Sequence, residues 1–321
     1  MSKNGVAGGY YILDRRCALI NLDRWLKTGR CTMKKKNLIA IFFTCIASAV
    51  FSQYQAANWP IAYNNIVVKI TADTLEEYTL PDCPYLDCGG PTGIHANTSV
   101  SDSNGNLLLF SFGNDVRNKY GDWVNGGCCL CQDTVDYRCH TYPHFQGALI
   151  LPKPGSSSQY YLFIKDMDTA FNGQPMRVTA TLVDIRANND SGAVVQGPAP
   201  IIKDTILSDA RMTACQHANG RDWWLINHQY LTNKIYTNLI TPDSIYGPFE
   251  QDIGLAGLEP DNAGWSLFSS TATNLFATTT AGMGGITLLD FDRCTGLFGN
   301  FKNLPCNFYE GYYYFLAFSP R

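Results

Sequence analysis

The feature that most constrains the fold of this chain is a short pattern that recurs along it. Each copy is a polar turn followed by a run of aliphatic and aromatic residues, and the runs begin at Leu107, Tyr160, Trp223, Leu275 and Tyr312. Turns rich in Asn and Gly supply the positive φ that a tight hairpin needs, and such apolar runs pack as strands. No amphipathic helix pattern of useful length follows residue 53. The chain is therefore predicted to be all-β.

The spacing of the runs favours one all-β architecture. The intervals between them are 53, 63, 52 and 37 residues, and further apolar runs at 234–240 and 285–291 fall inside the intervals. Multi-stranded units that repeat at this length are typical of a β-propeller. We expect about four blades and the first strand of a fifth, which leaves the propeller incomplete and open. The alternative is an irregular all-β domain whose hairpins are alike by chance.

Residues 33–53 read MKKKNLIAIFFTCIASAVFSQ and indicate export. Three lysines, a mostly apolar stretch and a small-residue end are the layout of a secretory signal peptide, and the stretch is too short for a convincing membrane span. We expect a signal helix over 33–52, with cleavage between Ser52 and Gln53. A lipoprotein cut at Cys45 is the alternative.

The signal peptide divides the chain into three parts. Residues 1–32 carry four arginines and two cysteines, and we interpret them as an upstream extension from a start codon placed too early, with Met33 as the true start. The alternative is a cytoplasmic arm on a membrane-anchored protein. Residues 53–321 form the partial propeller, and the mature protein is expected to be secreted or to lie on the outer cell surface.

Cleavage changes the charge of the protein. Residues 1–52 hold nine of the 24 basic and two of the 27 acidic side chains, so the mature chain keeps 15 and 25, a net charge of −10. An acidic surface repels phosphate backbones, which makes nucleic acid a poor partner. The membrane is expected to matter only during export.

Nine of the 12 cysteines follow the cleavage point, and export makes disulfides the expected state of most of them. Because nine is odd, at least one thiol is unpaired or pairs outside the chain. Two pairs are close in sequence and flanked by turn residues, and we expect them to form local bridges: Cys83 with Cys88, and Cys294 with Cys306. The cysteines between 128 and 139 cannot be connected from the sequence.

One group of residues has the spacing of a zinc site. Two residues separate Cys128 from Cys131, and three separate His140 from His144. Four such ligands are typical of structural zinc. The eight-residue middle gap is short, however, and an exported protein favours oxidation of the thiols. We therefore expect a disulfide-tied loop here, with zinc as the alternative, and no cofactor.

Several of the motifs resemble a known family. The segments are SVSDSNGNLLLF at 99–110, GALILPKPG at 147–155, QYYLF at 159–163, HANGRDWW at 217–224, LDFDRCTG at 289–296 and AFSP at 317–320. They resemble the turns and strands of secreted, WD-repeat-like β-propeller modules in bacterial cell-surface proteins of the gliding-associated type. Those proteins often continue into PKD-like domains and a C-terminal sorting domain.

The chain departs from that family in one respect. It stops at Pro320 and Arg321, where another blade would begin, so we interpret it as C-terminally truncated. A propeller that stops there leaves an unpaired strand edge, and the segment 53–321 is expected to be poorly soluble on its own.

Candidate catalytic residues are few. His217 or His228 could act as a general base oriented by Asp222, but His and Asp around a tight turn before a Trp strand more commonly fix the turn. The Asp102 turn lacks the later acidic ligands of a calcium loop, so we interpret it as a hairpin turn. No phosphate-binding Gly loop, nucleophile elbow or zinc-protease helix is present.

The functional expectation is therefore a non-catalytic propeller that binds protein or glycan at the cell surface. The first alternative is a propeller hydrolase or lyase acting on glycans or lactones, which needs convergent carboxylates or histidines. At least three of five residues would have to meet around an open cavity: His217, His228, Asp166, Asp168 and Asp290. The second alternative is a fragment without independent function.

Overall fold

A computed structural model describes residues 10–13, 19–21, 58–61, 66–70, 75–79, 97–131, 146–167, 175–208, 210–254, 265–269, 275–280, 285–304 and 315–318. Strands dominate this part of the chain, and its one helical segment is α1 (Ala187–Asp190). The all-β prediction is therefore confirmed. The expected signal helix, with Ser52 and Gln53, lies outside the described residues.

The described strands number 21. They are β1 (Tyr10–Leu13), β2 (Leu19–Asn21), β3 (Asn58–Ile61), β4 (Ile66–Ile70), β5 (Leu75–Thr79), β6 (Thr98–Ser101), β7 (Leu107–Ser111), β8 (Arg117–Asn118), β9 (Ala148–Pro152), β10 (Gln159–Met167), β11 (Pro175–Asp184), β12 (Ala193–Ile202), β13 (Thr213–Gln216), β14 (Trp223–His228), β15 (Lys234–Ile240), β16 (Ile245–Asp252), β17 (Ser266–Phe268), β18 (Leu275–Thr280), β19 (Gly285–Asp292), β20 (Leu297–Leu304) and β21 (Phe315–Phe318).

The strands form six antiparallel sheets within the described ranges. We name them sheet I (β3–β5), sheet II (β6–β8), sheet III (β9–β12), sheet IV (β13–β16), sheet V (β17–β20) and sheet VI (β2-β1-β21). In sheets I to V each strand pairs with the next one along the chain, so every sheet is a meander. The apolar runs at Leu107, Tyr160, Trp223 and Leu275 all lie in the second strand of a meander, as their common pattern predicts.

Successive sheets stack face to face, and β10 shows why. Its side chains alternate between two hydrophobic clusters, with Tyr161 and Phe163 in one and Tyr160, Leu162 and Ile164 in the other. Successive residues of a strand point to opposite faces, so a strand that is apolar on both faces must be covered on both. Sheet III is thus packed between sheets II and IV.

The same stacking continues to either side. Sheet IV meets sheet V through Trp224, Ile226, Phe291 and Phe298, and sheet I meets sheet II through Val67 packed with Leu107 and Phe110. The first strands of neighbouring sheets contact one another: β3 with β6, β6 with β9, and β13 with β17. The order of the sheets in space therefore follows the order of the chain from sheet I to sheet V.

A side-chain bridge joins two sheets that are not consecutive. The amide of Gln146, just before β9, donates to the carbonyl oxygen of Ser266 at 2.8 Å. Its oxygen accepts from the Ser266 backbone N–H at 2.9 Å. The beginnings of sheets III and V therefore lie side by side, although sheet IV comes between them in the chain.

The number of sheets differs from the expected four and part of a fifth. Strands β3, β4 and β5 form sheet I, whose sequence has no aromatic run like those of the later repeats. In addition, β21 was expected to keep an open edge, but it pairs with β1 in the register Tyr10↔Phe318 to Leu13↔Phe315. Strand pairing between distant segments leaves no local repeat in the sequence, so the pattern could not predict it.

The outer strands of sheets III and IV share a kink that the sequence analysis missed. Gly197 in β12 and Gly247 in β16 have φ values of 89° and 105°, and each precedes a proline. A Cβ atom on either glycine would lie within 2.7 Å of a carbonyl oxygen in the adjacent strand, so only glycine fits. Proline has no N–H to offer to another strand, which makes these edges poor templates for aggregation.

Candidate functional site

His217 and Asp222 lie at the β13–β14 turn, where their hydrogen bonds are structural. The Asp222 carboxylate accepts from Arg221 Nε at 2.7 Å and Nη2 at 3.0 Å, and from the Asn219 amide at 2.8 Å. The hydrogen bond from Arg221, followed by that from Asn219, holds the pKa of Asp222 below its ordinary value despite burial. The carboxylate is thus fully engaged within its own turn.

The His217 ring is also engaged on both sides. Nδ1 accepts a 3.0 Å hydrogen bond from the Asn219 backbone N–H, so it carries no proton. Nε2 is therefore protonated in the neutral ring and donates to the carbonyl oxygen of Cys294 at 3.2 Å. The bond with Asn219 fixes the turn, as the structural interpretation predicted. The bond with Cys294 also joins this turn to the turn of sheet V, which the sequence did not predict.

Two further residues complete this contact between the turns. Trp224 Nε1 donates to the Arg293 carbonyl oxygen at 2.9 Å, and Arg293 Nε donates back to the Gln216 carbonyl oxygen at 2.6 Å. The Trp224 ring covers Gly296 so closely that a Cβ atom there would lie 2.6 Å from it. The segment HANGRDWW is therefore a docking element between sheets.

His228 lies at the other end of β14 and is buried. Its Nε2 is 3.4 Å from the Ser266 hydroxyl oxygen. Burial, and then the charges of Arg211 and Lys165, lower the pKa of His228 well below its ordinary value. β14 is six residues long, and at about 3.3 Å per residue the two histidines lie at opposite ends of the sheet.

The two described acidic residues proposed for catalysis lie on different sheets, Asp166 on sheet III and Asp290 on sheet V. Asp166 is fully buried and forms an ion pair with Arg177 at 2.6 Å. Asp290 is exposed and accepts from the Asn300 amide at 2.6 Å. Asp168 lies outside the described residues. Asp166 and Asp290 are thus each bound by a partner on the adjacent strand of their own sheet.

A buried polar cluster that the sequence analysis missed lies between sheets III and IV. The Lys165 ammonium donates to the carbonyl oxygens of Ser208, at 2.6 Å, and of Ala210. The Ser208 N–H in turn donates to the His228 carbonyl oxygen at 3.0 Å. Lys165 thus fixes the segment that leads into β13. A lysine in an apolar run such as QYYLFIKDM was the available signal.

Asn227 belongs to the same neighbourhood. It is completely buried, and within the described part of the chain neither its amide nitrogen nor its oxygen has a hydrogen-bond partner. The buried hydroxyl of Ser208 likewise has no hydrogen-bond partner among the described residues. Buried polar groups of this kind are commonly satisfied by ordered water.

The cysteine cluster is described only up to Cys131. Cys128 and Cys129 bring their sulphur atoms to 2.9 Å, and the Cys131 sulphur is 3.9 Å from the Gly113 carbonyl oxygen. Zinc remains a prediction, because His140, His144 and Cys139 lie outside the described residues. Among the residues that are described, no group of three or more His, Cys, Asp or Glu side chains is placed to hold a metal ion.

The expected local bridges are not tested. Cys83, Cys88 and Cys306 lie outside the described residues. Cys294 is exposed at the β19–β20 turn, where its backbone N–H donates to Asp292 at 2.8 Å. Cys215 is buried beside Trp224, and burial raises the pKa of its thiol.

Asp102 forms the predicted hairpin turn. One carboxylate oxygen accepts from the backbone N–H groups of Asn104 and Asn106, both at 2.8 Å, and the other accepts from the Asn106 amide at 2.9 Å. Burial acts to raise the pKa of Asp102, but these three bonds outweigh it and the pKa lies below its ordinary value. The carboxylate is therefore occupied by its own turn.

Among the residues of sheets III to V whose side chains are described, the most exposed large apolar ones lie on the last strands. They are Val195 on β12, Tyr246 and Phe249 on β16, and Leu297 and Phe301 on β20. We call this set the outer-strand surface. Tyr246 and Phe249 are about half exposed, at 50% and 51%. Their exposure could not be predicted from the sequence, because a short run with aromatic residues looks the same in an exposed edge strand and in a core strand.

Comparisons with known proteins add little. No family model matches the sequence, and no curated protein matches it. Among solved structures, the periplasmic gluconolactonase PpgL of Pseudomonas aeruginosa is similar at 10% identity and a TM-score of 0.39, over 98% of this chain and 99% of that one. Similarity at this level carries no argument about function. Within the described ranges, no helix has the length and apolar character needed to cross a membrane.

Proposed function

We propose that the chain is an exported β-propeller that acts as a non-catalytic scaffold and binds protein or glycan at the cell surface. Its sheets are the blades, and the outer-strand surface is the part that contacts the partner. The fold part of the proposal is supported by the meander sheets, by their stacking in chain order, and by the bridge from Gln146 to Ser266 between non-consecutive sheets.

The observation that carries the non-catalytic assignment is the dispersal of the polar residues. His217 is bound at a turn, His228 is buried at the far end of β14, Asp166 is paired with Arg177, and Asp290 is exposed beside Asn300. General acid–base catalysis needs such groups within hydrogen-bonding reach of one substrate. The bond of His217 joins two turns, and those of Asp166 and Asp290 join neighbouring strands of one sheet.

Exposed aromatic side chains support a binding role. Tyr246 and Phe249 lie on an edge strand whose residues from Tyr246 to Glu250 are all exposed. Aromatic residues supply a large share of the energy at binding interfaces. Within the described ranges the strand is the last one of its sheet and pairs with β15, and both rings are about half exposed to a partner.

The decisive experiment measures binding and turnover together. The full chain, immobilised after purification, is exposed to a glycan array and to extracellular bacterial surface proteins, and is assayed in parallel against lactone and glycoside substrates. We expect binding without turnover, and we expect the double variant Tyr246→Ser, Phe249→Ser to lose the binding. Tyr120→Ser is the matched control, since Tyr120 is 55% exposed in the turn after β8. Turnover that survives purification would establish the hydrolase or lyase instead.

A fragment without function remains the second alternative. A cooperative thermal transition of the purified chain, together with a specific ligand, argues against it. The proposed location is tested separately, by fractionating cells that express the chain and probing the medium and the outer surface.

A further inference from the structure

Two adjacent cysteines in the loop that follows β8 hold their sulphur atoms side by side. The Sγ atoms of Cys128 and Cys129 are 2.9 Å apart, whereas a disulfide bond is about 2.05 Å long. Adjacent side chains on an extended strand point to opposite faces. Here Cys129 has a φ of 57°, a left-handed backbone that is uncommon for such a residue, and both sulphurs lie on the same side of the chain.

The backbone around the pair is fixed. The Val116 N–H donates to the Gly127 carbonyl oxygen at 2.8 Å, and the Gly127 N–H donates to Val124 at 2.8 Å. On the other side, Asn114 accepts from the N–H groups of Leu130, at 3.0 Å, and Cys131, at 2.8 Å. Hydrogen bonds on both sides therefore hold the two cysteines in this conformation.

Gly127, directly before Cys128, lies in a closely packed part of the loop. A Cβ atom at this position would lie 2.6 Å from the Val124 side chain and 2.7 Å from the Val116 carbonyl oxygen. Any larger residue would displace the backbone directly before Cys128. Glycine at 127 is thus required for the geometry that brings the two sulphurs together.

The two thiols differ in their surroundings. Cys129 is exposed and Cys128 is half-buried. Cys129 is therefore the sulphur that an external reagent meets first.

We propose that Cys128 and Cys129 form a vicinal disulfide when the protein meets an oxidant of the disulfide class, either a small molecule or a protein. The Cys129 thiolate attacks a sulphur of the oxidant and displaces one thiolate, which gives a mixed disulfide. The Cys128 thiol then loses its proton to solvent and attacks the Cys129 sulphur, and the second half of the oxidant leaves as a thiolate. Two protein thiols are oxidised and one external disulfide is reduced to two thiols.

This assignment is more specific than the disulfide-tied loop expected from the sequence, and it leaves Cys131 out of the bond. It also competes with zinc, because a zinc site would need the Cys128 thiolate. Its occurrence in the cell rests on the proposed export. The chemistry itself is a property of the loop, so it is tested on purified protein and can succeed where the proposed function fails.

The test uses the digestion pattern of the chain. Trypsin cleaves after Lys119 and Arg138, so Cys128, Cys129 and Cys131 are released in one peptide, 120–138. The full-length protein is equilibrated with oxidised and reduced glutathione, its thiols are alkylated with iodoacetamide, and the digest is analysed by tandem mass spectrometry.

The expected product is peptide 120–138 with one alkylated cysteine, at 131, and the loss of two hydrogens between 128 and 129. Reduction before alkylation restores three alkylated positions. The proposal is overturned by three alkylated cysteines after oxidation, by alkylation at 128 or 129 with a bond to 131, or by a link from this peptide to another one.

Two variants separate the bond from general oxidation. Cys131→Ser should leave the loss of two hydrogens between 128 and 129 unchanged, whereas Cys128→Ser should abolish it. A thermal melt of each variant checks that the fold is retained. An identical disulfide pattern in the Cys128→Ser protein would contradict the proposal.

Discussion

Gln146 and Ser266 exchange two hydrogen bonds, at 2.8 and 2.9 Å, although 120 positions separate them in the chain. The glutamine amide imitates a neighbouring strand, because it offers one donor and one acceptor to the peptide group of Ser266. Gln251 binds Phe298 in the same way, at 2.7 and 2.9 Å. The same device therefore joins consecutive sheets in one case and non-consecutive sheets in the other.

Replacing Gln146 with Leu should destabilise the protein. The leucine keeps the size of the side chain but removes both hydrogen bonds to the fully buried Ser266, which costs about 1–3 kcal/mol. Urea unfolding followed by tryptophan fluorescence measures the difference. Gln251→Leu is the matched variant and should lose a similar amount. An unchanged midpoint for Gln146→Leu would show that this bridge does not hold the sheets together.

Gly296 should be far less tolerant of substitution than Gly299. A Cβ atom at 296 would lie 2.6 to 2.9 Å from the Trp224 ring, and the backbone has a φ of 76°, whereas at 299 it would meet nothing within 4 Å. We expect Gly296→Ala to lower the melting temperature clearly and Gly299→Ala to change it little. Gly220→Ala measures the cost of the positive φ alone, because the φ of Gly220 is 74° but a Cβ atom there would meet nothing within 4 Å. Equal effects at 296 and 220 would mean that the ring contact adds nothing.

The turn residues show what the sequence could predict. The Asp102 and HANGRDWW turns are local, since their hydrogen bonds connect residues a few positions apart, and both were predicted as structural. The contacts from His217 to Cys294 and from Trp224 to Arg293 span 77 and 69 positions. No pattern in the sequence specifies such a pair. The second strands of the meanders were likewise predictable, whereas the pairing of β1 with β21 was not.

His228 should make the protein less stable in mild acid. Its pKa in the folded protein is well below 6.5 because of burial and the nearby Arg211 and Lys165 charges, while the unfolded chain takes up a proton near pH 6.5. Below that pH the unfolded state binds more protons, so stability falls as the pH decreases toward the folded pKa, and the contribution is complete above about pH 7.

The measurement is the unfolding free energy between pH 7.5 and pH 5 for the wild type and for His228→Gln. The glutamine cannot titrate, so the variant should show a shallower loss of stability across this range even if it is less stable overall. Parallel curves would mean that another group is responsible.

Asp222 should affect the stability of the protein at a lower pH than His228 does. The bond from Arg221 and then that from Asn219 lower its folded pKa, so its contribution is present above the unfolded value, about 3.9, and is lost as the pH falls through the folded pKa. We expect Asp222→Asn to be less stable at neutral pH and to show a weaker dependence on pH below about 4. Acid titration followed by circular dichroism measures both effects. A variant that keeps the wild-type acid midpoint would contradict this assignment.

Cleavage at Ser52 and the pairing of β1 with β21 cannot occur in the same molecule. β1 and β2 belong to residues 10–21, and the register Tyr10↔Phe318 places them beside the last strand. If the signal peptide over 33–52 is removed, both strands are lost and β21 loses its partner in sheet VI.

The intact mass of the exported protein shows whether cleavage has occurred or residues 10–21 are retained. We expect an N-terminus at Gln53, with the edge of β21 open and the protein prone to associate, because the layout of 33–53 is that of a signal peptide. A chain that retains residues 10–21, stays monomeric and protects the β21 amides from hydrogen exchange would instead establish the β1–β21 pair as part of the working protein.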